Sequence, residues 1–159
     1  MIDQHAAHER ITFERLKAQI EKGSIEVQQL LSPILVRLSM QEALLWEDNK
    51  GELEKLGFNC SMFDKETLAI HAHPQLITRP ENSIHNLLAA EQIKRLEPEA
   101  LARMACRSSV MAGDAISSEA AQYQRSQLLQ CKSPFTCPHG RPTVIEIPEN
   151  MLNKQFLRT

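Results

Sequence analysis

The stretch that decides the fold lies at the start of the chain and reads Asp3-Gln4-His5-Ala6-Ala7-His8-Glu9-Arg10-Ile11-Thr12-Phe13-Glu14. His5 and Glu9 are four residues apart, so a helix places both on one face, one turn from each other. Asp3 stands where an N-cap would stand, and Glu14 continues roughly the same side. Because imidazole and carboxylate groups bind divalent transition metals, this face offers half of a metal site.

Two later stretches can supply the other half, namely Met104-Ala105-Cys106-Arg107 and Cys137-Pro138-His139-Gly140-Arg141-Pro142. Taken alone, Cys106 is more often a small core residue, and His5 with Glu9 is more often a solvated helix face. The joint occurrence favours a site, because a thiolate and an imidazole in a loop fixed by Pro and Gly form a compact chelate. The combined set of soft and hard ligands suits zinc or two neighbouring metals.

Together with the terminal Phe156-Leu157-Arg158, these stretches resemble the C-terminal endonuclease domain of the MutL family of DNA mismatch-repair proteins. The first stretch has the order DQHA-x2-E-x4-E, the second ACR, the third CPHGRP and the last FxR. They follow the family's order and cover nearly the whole chain. The ordered set is therefore specific, although each tripeptide alone is weak.

The resemblance implies a division of roles among the site residues. The metal-binding positions would be His5, Glu9, Cys106, Cys137 and His139. Asp3 would be the acidic residue needed for cleavage, acting with His5 and Glu9 in catalysis. In the family, manganese supports nicking and zinc has a structural or regulatory part, so we expect both metals.

The chemistry expected of such a site is hydrolysis of a phosphodiester bond. A metal lowers the pKa of bound water and neutralises charge on the phosphate. Asp3 and Glu9 would bind the activating metal or accept a proton. Arg107 and Arg141 would orient carboxylates or phosphate through fork-like hydrogen bonds, or serve equally well in structural pairs.

Composition and periodicity predict an α+β fold of aliphatic core, since the chain is 42% hydrophobic but only 4% aromatic. We expect a small sheet with packed helices, with one subdomain formed from residues 1–30 and 97–159. Residues 31–96 would form a second, inserted subdomain of helices and strands. The resemblance implies the same division, into a dimerisation subdomain that holds the site and an external regulatory subdomain.

Local patterns predict the individual elements. We expect helices over 4–22, from Ser39 to Gly57, 82–95, from Pro98 to about 112, 118–129, and from 148 onward. We expect strands over 34–38 and 143–147, and a hairpin of 58–63 with 67–73. Cys60 and Cys131 are expected in the core, and the pair His71 and His73 is not expected to bind a metal.

The segment Gln28-Gln29-Leu30-Leu31-Ser32-Pro33 is a further candidate site. A Gln followed by aliphatic residues in an extended segment can dock in a hydrophobic pocket. It is similar to the sliding-clamp-binding segment of nuclease-bearing MutL proteins, with Gln28, Leu30, Leu31 and Pro33 as the contacts. An ordinary lead-in to a strand is the alternative.

Charge and cysteine usage limit the partners. The net charge of −2 predicts weak binding of double-stranded DNA by this chain alone. Unevenly spaced cysteines beside His or Arg favour metal binding in a reducing compartment, and no apolar run is long enough for a membrane. The resemblance implies a homodimer, a sliding clamp, the mismatch-recognition protein MutS through the full-length protein, and a bacterial cytoplasm near the nucleoid.

Only Met1 and Ile2 precede the first motif, where the family has a strand, so we expect a shortened chain.

Three function classes follow. The first is a metal-dependent nicking endonuclease that works as a homodimer. The second is a non-catalytic dimerisation and partner-binding module with a structural zinc. The third is an unrelated zinc-dependent hydrolase, for which no small-molecule pocket is visible in the sequence. Covalent catalysis by Cys137 is a weak fourth, because no base is specified beyond His139.

Overall fold

The computed structural model describes residues 1–89, 97–106 and 116–155, and of residues 104–106 and 152 only the backbone. The elements, in chain order, are α1 (Gln4–Lys22), β1 (Val27–Arg37), α2 (Met40–Lys55), β2 (Asn59–Met62), β3 (Thr67–Pro74), α3 (Pro80–Leu88), α4 (Pro98–Cys106), α5 (Ser118–Leu129) and α6 (Glu149–Gln155). The predicted α+β class is confirmed.

The sheet is antiparallel, with the strand order β1-β3-β2. The predicted hairpin is confirmed, because β2 and β3 pair across the turn at 64–66. The predicted strand 34–38 was too short, since β1 begins at Val27 and its first residues pair with the end of β3. The register shifts between Gln29 and Ile34, and Pro33, which lacks an N–H group, lies in that irregular part. Strand β1 therefore runs across the predicted subdomain boundary at residue 30.

Capping residues fix the helix ends where the sequence indicated. Asp3 accepts a hydrogen bond from the backbone of Ala6 at the start of α1, and Gly23 ends that helix with a φ of 64°. Ser39 and Glu42 form a reciprocal capping box at the start of α2. Ser117 caps α5 in the same way as Asp3 caps α1. Each of these caps confirms a predicted helix start or end.

Helix α1 lies between the apolar clusters. The largest cluster packs the sheet against α2 and α3, and its buried members are Val36, Leu38, Trp46, Leu53, Leu56, Phe58, Leu68, Ile70, Ile84, Leu87 and Leu88. The two smaller clusters use residues of α1 and comprise Phe13, Leu16, Ile77 and Ala102 in one, and Ala7, Ile11 and Leu128 in the other. The first helix thus packs against α4 through one cluster and against α5 through the other.

Two predicted elements need correction. Residues 143–147 form no strand in the described part of the chain. In the described residues Val144 makes one isolated bridge to Ile2, and backbone hydrogen bonds link Asp3 with Thr143 and Met1 with Ile145, but no longer ladder forms. The helix predicted over 82–95 begins earlier, with Pro80 in its first turn, and ends at Leu88. Residues 90–96 and the predicted end of α4 near 112 lie outside the described residues.

Candidate metal centre

Helix α1 places His5 and Glu9 on one face, as their spacing predicts. His5 Nε2 lies 3.1 Å from Glu9 Oε1, and the Glu9 side chain is only 2% exposed. Ala6 and Ala7 are buried beside them, so the helix packs closely where it carries these two polar groups. A carboxylate buried to this degree requires partners, because desolvation strongly disfavours an unpaired charge.

The tight loop 136–142 carries two further candidate ligands, Cys137 and His139. Thr136 and Pro142 form a bridge, and the amide of Cys137 donates to the carbonyl of Arg141 at 2.7 Å. Gly140 closes a turn by donating to the carbonyl of Cys137, and its φ of 85° is a conformation that favours glycine. Pro and Gly therefore give this loop one compact shape.

The candidate ligands from α1 and from the loop 136–142 lie close together. The ligand atoms of Glu9, Cys137 and His139 all lie within 4.8 Å of one another. His139 Nδ1 is 3.3 Å from Glu9 Oε2, although the two residues are 130 positions apart in sequence. The Cys137 sulfur is buried and accepts hydrogen bonds from the amides of His139 and Arg141, at 3.4 and 3.3 Å. Both amides therefore point at the atom through which a cysteine binds metal, and they fix its position in the loop.

The residues present fit a metal ion. The donor set contains one sulfur, one imidazole and one carboxylate from Glu9, with His5 adjoining it. This combination of thiolate, nitrogen and oxygen suits zinc. His5 Nδ1 is buried and has no hydrogen-bond partner among the described residues, which leaves a polar atom for a further ligand to satisfy.

The remaining site predictions have different outcomes. Asp3 is exposed and caps α1, and its amide donates to the carbonyl of Thr143 at 2.9 Å. The guanidinium of Arg141 lies 3.6 Å from Glu9 Oε1, so its structural pairing is present. Cys106 ends α4, but its side chain lies outside the described residues, as do Arg107 and 156–158. The ligand role of Cys106 therefore stays a prediction.

Glu14 does not continue the face of His5 and Glu9. Five residues turn a helix by about 140° from Glu9. Its carboxylate instead accepts hydrogen bonds from the backbone amides of Lys132 and Ser133, at 2.7 and 3.1 Å. The expectation of a shared side was wrong, and Glu14 contacts the loop that precedes Cys137.

Arg10 is a residue that our reading of the sequence missed. Its Nε donates to the carbonyl of Thr136 at 2.6 Å, and its NH1 atom lies 3.5 Å from Glu14. The guanidinium also lies over the ring of Phe13, 5.4 Å from the ring centre. The spacing of Arg10 and Glu14, one helix turn, was the available signal.

The segment 28–33 lies on the edge strand β1. Leu31 is fully exposed, and Gln28 and Pro33 are exposed beside it. Leu30 is half-buried and packs against the largest apolar cluster. Leu31 is therefore the aliphatic side chain of this segment that is presented to solvent.

The other histidines and cysteines have local structural partners. His71 shares a hydrogen bond with Ser61, and His73 with the carbonyl of Pro74. Cys60 and Cys131 are half-buried. Burial and a nearby carboxylate raise the pKa of Cys60 to about 12 and of Cys131 to about 11.

His8 lies on the flank of α1, close to the site. Burial, assisted by the neighbouring His5, lowers the pKa of His8 below its ordinary value. Its Nδ1 is 3.5 Å from the hydroxyl of Thr12. His8 does not belong to the group of ligand atoms that converge on Glu9.

Comparison with known proteins places these observations in a family. Residues 1–116 match the model of the MutL C terminal dimerisation domain. The chain is 36% identical over 166 residues to the DNA mismatch repair protein MutL of Clostridium botulinum (strain Okra / Type B1), covering 99% of this chain and 25% of that protein. It is 36% identical over 167 residues to MutL of Clostridium tetani (strain Massachusetts / E88), covering 99% of this chain and 27% of that protein.

A third relative, MutL of Clostridium perfringens (strain 13 / Type A), is 35% identical over 167 residues, covering 99% of this chain and 25% of the relative. The chain thus spans about a quarter of the length of these relatives. None of the helices in the described ranges is long and apolar enough to cross a membrane. With a family model matching most of its length, the chain belongs to the MutL C-terminal dimerisation domain family.

Proposed function

We propose that this chain is a metal-dependent nicking endonuclease domain that hydrolyses DNA phosphodiester bonds. The observation that carries the proposal is the convergence of Glu9, Cys137 and His139 from two distant motifs. Burial of a carboxylate beside a buried thiol and an imidazole is costly unless something binds them together. A metal ion supplies that binding energy.

In this proposal the side chains have separate tasks. His5, Glu9, Cys137 and His139 hold zinc, with Cys106 added by the resemblance. Asp3 contributes a hard carboxylate for a catalytic manganese, or accepts the proton of the attacking water. Arg141 orients Glu9, which it already contacts at 3.6 Å. When bound, the metal lowers the pKa of water and offsets charge on the phosphate.

The test compares two variants in two measurements. Asp3→Asn keeps the cap of α1 and removes the charge, so nicking of supercoiled plasmid in manganese should fall about 100-fold or more. Its zinc content per chain should stay at the parent's level. Cys137→Ser should lose zinc as well as nicking, because a soft ligand is gone.

Asp48→Asn is the matched control, since Asp48 is an exposed aspartate on α2, outside the group of ligand atoms. It should nick at the parent's rate. If Asp3→Asn nicks as fast as Asp48→Asn, the endonuclease proposal fails. The non-catalytic module then becomes the better account, supported by the contacts that Glu9 already makes with His5, His139 and Arg141.

Homodimerisation is part of the proposal. The family description names a dimerisation domain, and apolar side chains are exposed near the first and last described residues. Ile2, Ile145 and Ile147 are 39%, 44% and 38% exposed. Sedimentation at about 50 micromolar should show a dimer, since a standard-size interface holds at that concentration.

Ile145→Lys should shift the sedimenting species to monomer. Leu44→Lys, at an exposed apolar position on α2, should not. A parent that sediments only as a monomer would count against dimerisation by this chain. An Ile145→Lys variant that stays dimeric would show that the exposed residues near the termini are not the interface.

Docking of a sliding clamp at segment 28–33 is also proposed. The support is the full exposure of Leu31 on an edge strand whose register is irregular. An exposed aliphatic side chain in an extended segment is what a hydrophobic pocket accepts. Leu31→Asp should abolish binding to an immobilised clamp, whereas Leu35→Asp, also exposed on β1, should retain it.

A further inference from the structure

We infer that Arg10 and Glu14 form a clasp, defined here as their side chains with the backbone groups of Lys132, Ser133 and Thr136. The clasp holds the loop 131–136 against α1 and thereby places Cys137 and His139 beside Glu9. Glu14 and Arg10 are thus positioning residues of the metal centre and not ligands. The inference rests on the proposed metal site and assigns the second glutamate of the first motif a separate task.

The carboxylate of Glu14 contacts two successive amides. Oε2 accepts from Lys132 at 2.7 Å and Oε1 accepts from Ser133 at 3.1 Å. The Glu14 side chain is 19% exposed, so water competes weakly with these bonds. Hydrogen bonds from backbone amides to a carboxylate are among the stronger ones in proteins. One side chain therefore fixes two adjacent residues of the loop.

Arg10 completes the clasp from one turn earlier on the same helix. Its Nε donates to the carbonyl of Thr136 at 2.6 Å, directly before Cys137. Its NH1 atom is 3.5 Å from Glu14 Oε1, and its side chain is 11% exposed. A planar guanidinium can reach both partners at once, which a lysine ammonium does not do in the same geometry.

The consequence concerns the ligand loop. Cys137 follows Thr136 immediately, so the carbonyl held by Arg10 sets where the loop 137–142 begins. Helix α1 supplies Glu9 and His5, so the clasp ties both halves of the ligand set to a single rigid element. Groups that orient ligands in this way commonly change metal affinity when removed.

The experiment measures loop order and metal affinity in the same protein. Glu14→Gln removes the charge and one of the two acceptor oxygens. Amide hydrogen exchange at Lys132 and Ser133 should accelerate about tenfold, as lost charged hydrogen bonds predict. Zinc affinity, measured by competition with a chromogenic chelator, should fall about tenfold.

Glu21→Gln is the matched control on the same helix. Glu21 is half-exposed and pairs with Lys17 at 4.0 Å. It borders the same groove as Lys132 and Ser133, but the amides of those two residues donate to Glu14. Exchange at Lys132 and Ser133 and zinc affinity should both equal the parent's values. Exchange of α1 amides should stay unchanged in both variants, which separates loop release from general unfolding.

Arg10→Lys provides a second, independent variant should Glu14→Gln fail to fold. It keeps the charge and loses the fork, so exchange should accelerate at Cys137 and zinc affinity should fall. The double variant Arg10→Lys with Glu14→Gln should lose less than the sum of the single losses, because the clasp acts as a unit.

Several outcomes would overturn the inference. If the amides of Lys132 and Ser133 exchange at the same rate in Glu14→Gln as in Glu21→Gln, the clasp does not hold the loop. Faster exchange with unchanged zinc affinity shows that the loop does not position the ligands. Weaker zinc binding with unchanged exchange shows that Glu14 acts on the metal by another route. If the parent itself binds no zinc, the proposed metal site fails, and the exchange measurement alone decides the clasp.

Discussion

The sheet region and the metal-centre region of this molecule are stabilised in different ways. The sheet region, which contains β1, β2, β3, α2 and α3, is packed around the largest apolar cluster. The metal-centre region, which contains the first half of α1 and the loops 131–147, buries several polar side chains: Glu9, Arg10, Thr12 and Thr143. The side chains of Glu9 and Arg10 contact groups that are more than one hundred residues away in sequence.

The difference teaches how each region responds to change. Apolar burial contributes about 25 cal/mol per Å² of buried surface, and this contribution does not depend on which apolar neighbour covers that surface. A buried polar group is stable only while its own partners remain, and leaving one unpaired costs about 1–3 kcal/mol. We therefore expect the sheet region to set the stability of the domain and the other region to set its chemistry.

The largest expected effect is on stability, from a truncation in the sheet. Ile70 in β3 is 0% exposed and belongs to the largest cluster. Ile70→Ala should lower the free energy of unfolding by about 3 kcal/mol, the sum of lost burial and a cavity. Urea denaturation measures this.

Leu44→Ala is the control for the sheet, since Leu44 is 68% exposed on α2. It should change the free energy of unfolding by less than about 0.5 kcal/mol. Zinc affinity should match the parent in both variants. A large loss of zinc affinity in Ile70→Ala would break the proposed separation of the two regions.

The next effect is that of metal on the metal-centre region. At a free zinc concentration about 100 times the dissociation constant, the free energy of unfolding should rise by about 2.7 kcal/mol. Thermal or urea unfolding with and without a chelator measures this increase. Cys137→Ser should show almost none of it, because the proposed site loses its buried sulfur ligand.

Cys60→Ser is the matched control for the sulfur. Cys60 is half-buried on β2, and burial with a nearby carboxylate raises its pKa to about 12, so it stays a thiol. Its zinc-dependent stabilisation should equal the parent's. Equal stabilisation in Cys137→Ser would show that zinc does not bind at this centre.

A smaller loss is expected from a buried hydroxyl in the metal-centre region. Thr143 is 0% exposed and donates to the carbonyl of Pro134. Thr143→Val keeps the shape but leaves that carbonyl without this donor, which should cost about 1–2 kcal/mol in urea denaturation. Thr136→Val, at an exposed position, should cost much less. Equal effects would mean that the buried hydrogen bond adds nothing.

Much of the fold could be predicted because its signals are local. Ser39 and Glu42 are three residues apart and define the start of α2, and Gly23 defines the end of α1. The length of β1 was underestimated, since pairing of Val27 with Pro74 depends on residues far away in sequence. The strand predicted at 143–147 failed for a related reason, because alternation does not reveal which distant backbone groups will pair with it, and a single bridge forms among the described residues.

For the candidate site, too, local contacts could be predicted and contacts with distant residues could not. The spacing of His5 and Glu9 predicts their shared helix face, and the structure places them 3.1 Å apart. The tasks of Arg10 and Glu14 could not be found from the helix alone, since their partners are backbone groups of a distant loop. Backbone partners in a distant loop leave no trace in local residue spacing, so no residue pattern indicates them.

The smallest expected effect is a pH dependence in the sheet region, at the start of α2. Burial opposes ionisation of Glu42, but hydrogen bonds from His85 and Ser39 outweigh it and hold the pKa of Glu42 below its ordinary value of 4.5. A group whose pKa is lower in the folded state adds stability above its ordinary value and loses it as the pH falls through the folded value. The free energy of unfolding should therefore decline below pH 4.5, and part of this decline should be absent in Glu42→Gln.

Glutamine keeps the capping box, so the difference at pH 7 should be only a few tenths of a kcal/mol, because water screens this half-exposed carboxylate. Urea denaturation from pH 3 to pH 7 measures it, with Glu47→Gln on the exposed side of α2 as the control. A Glu42→Gln curve parallel to that of Glu47→Gln would show that the Glu42 carboxylate adds no charge-dependent stability to the sheet region.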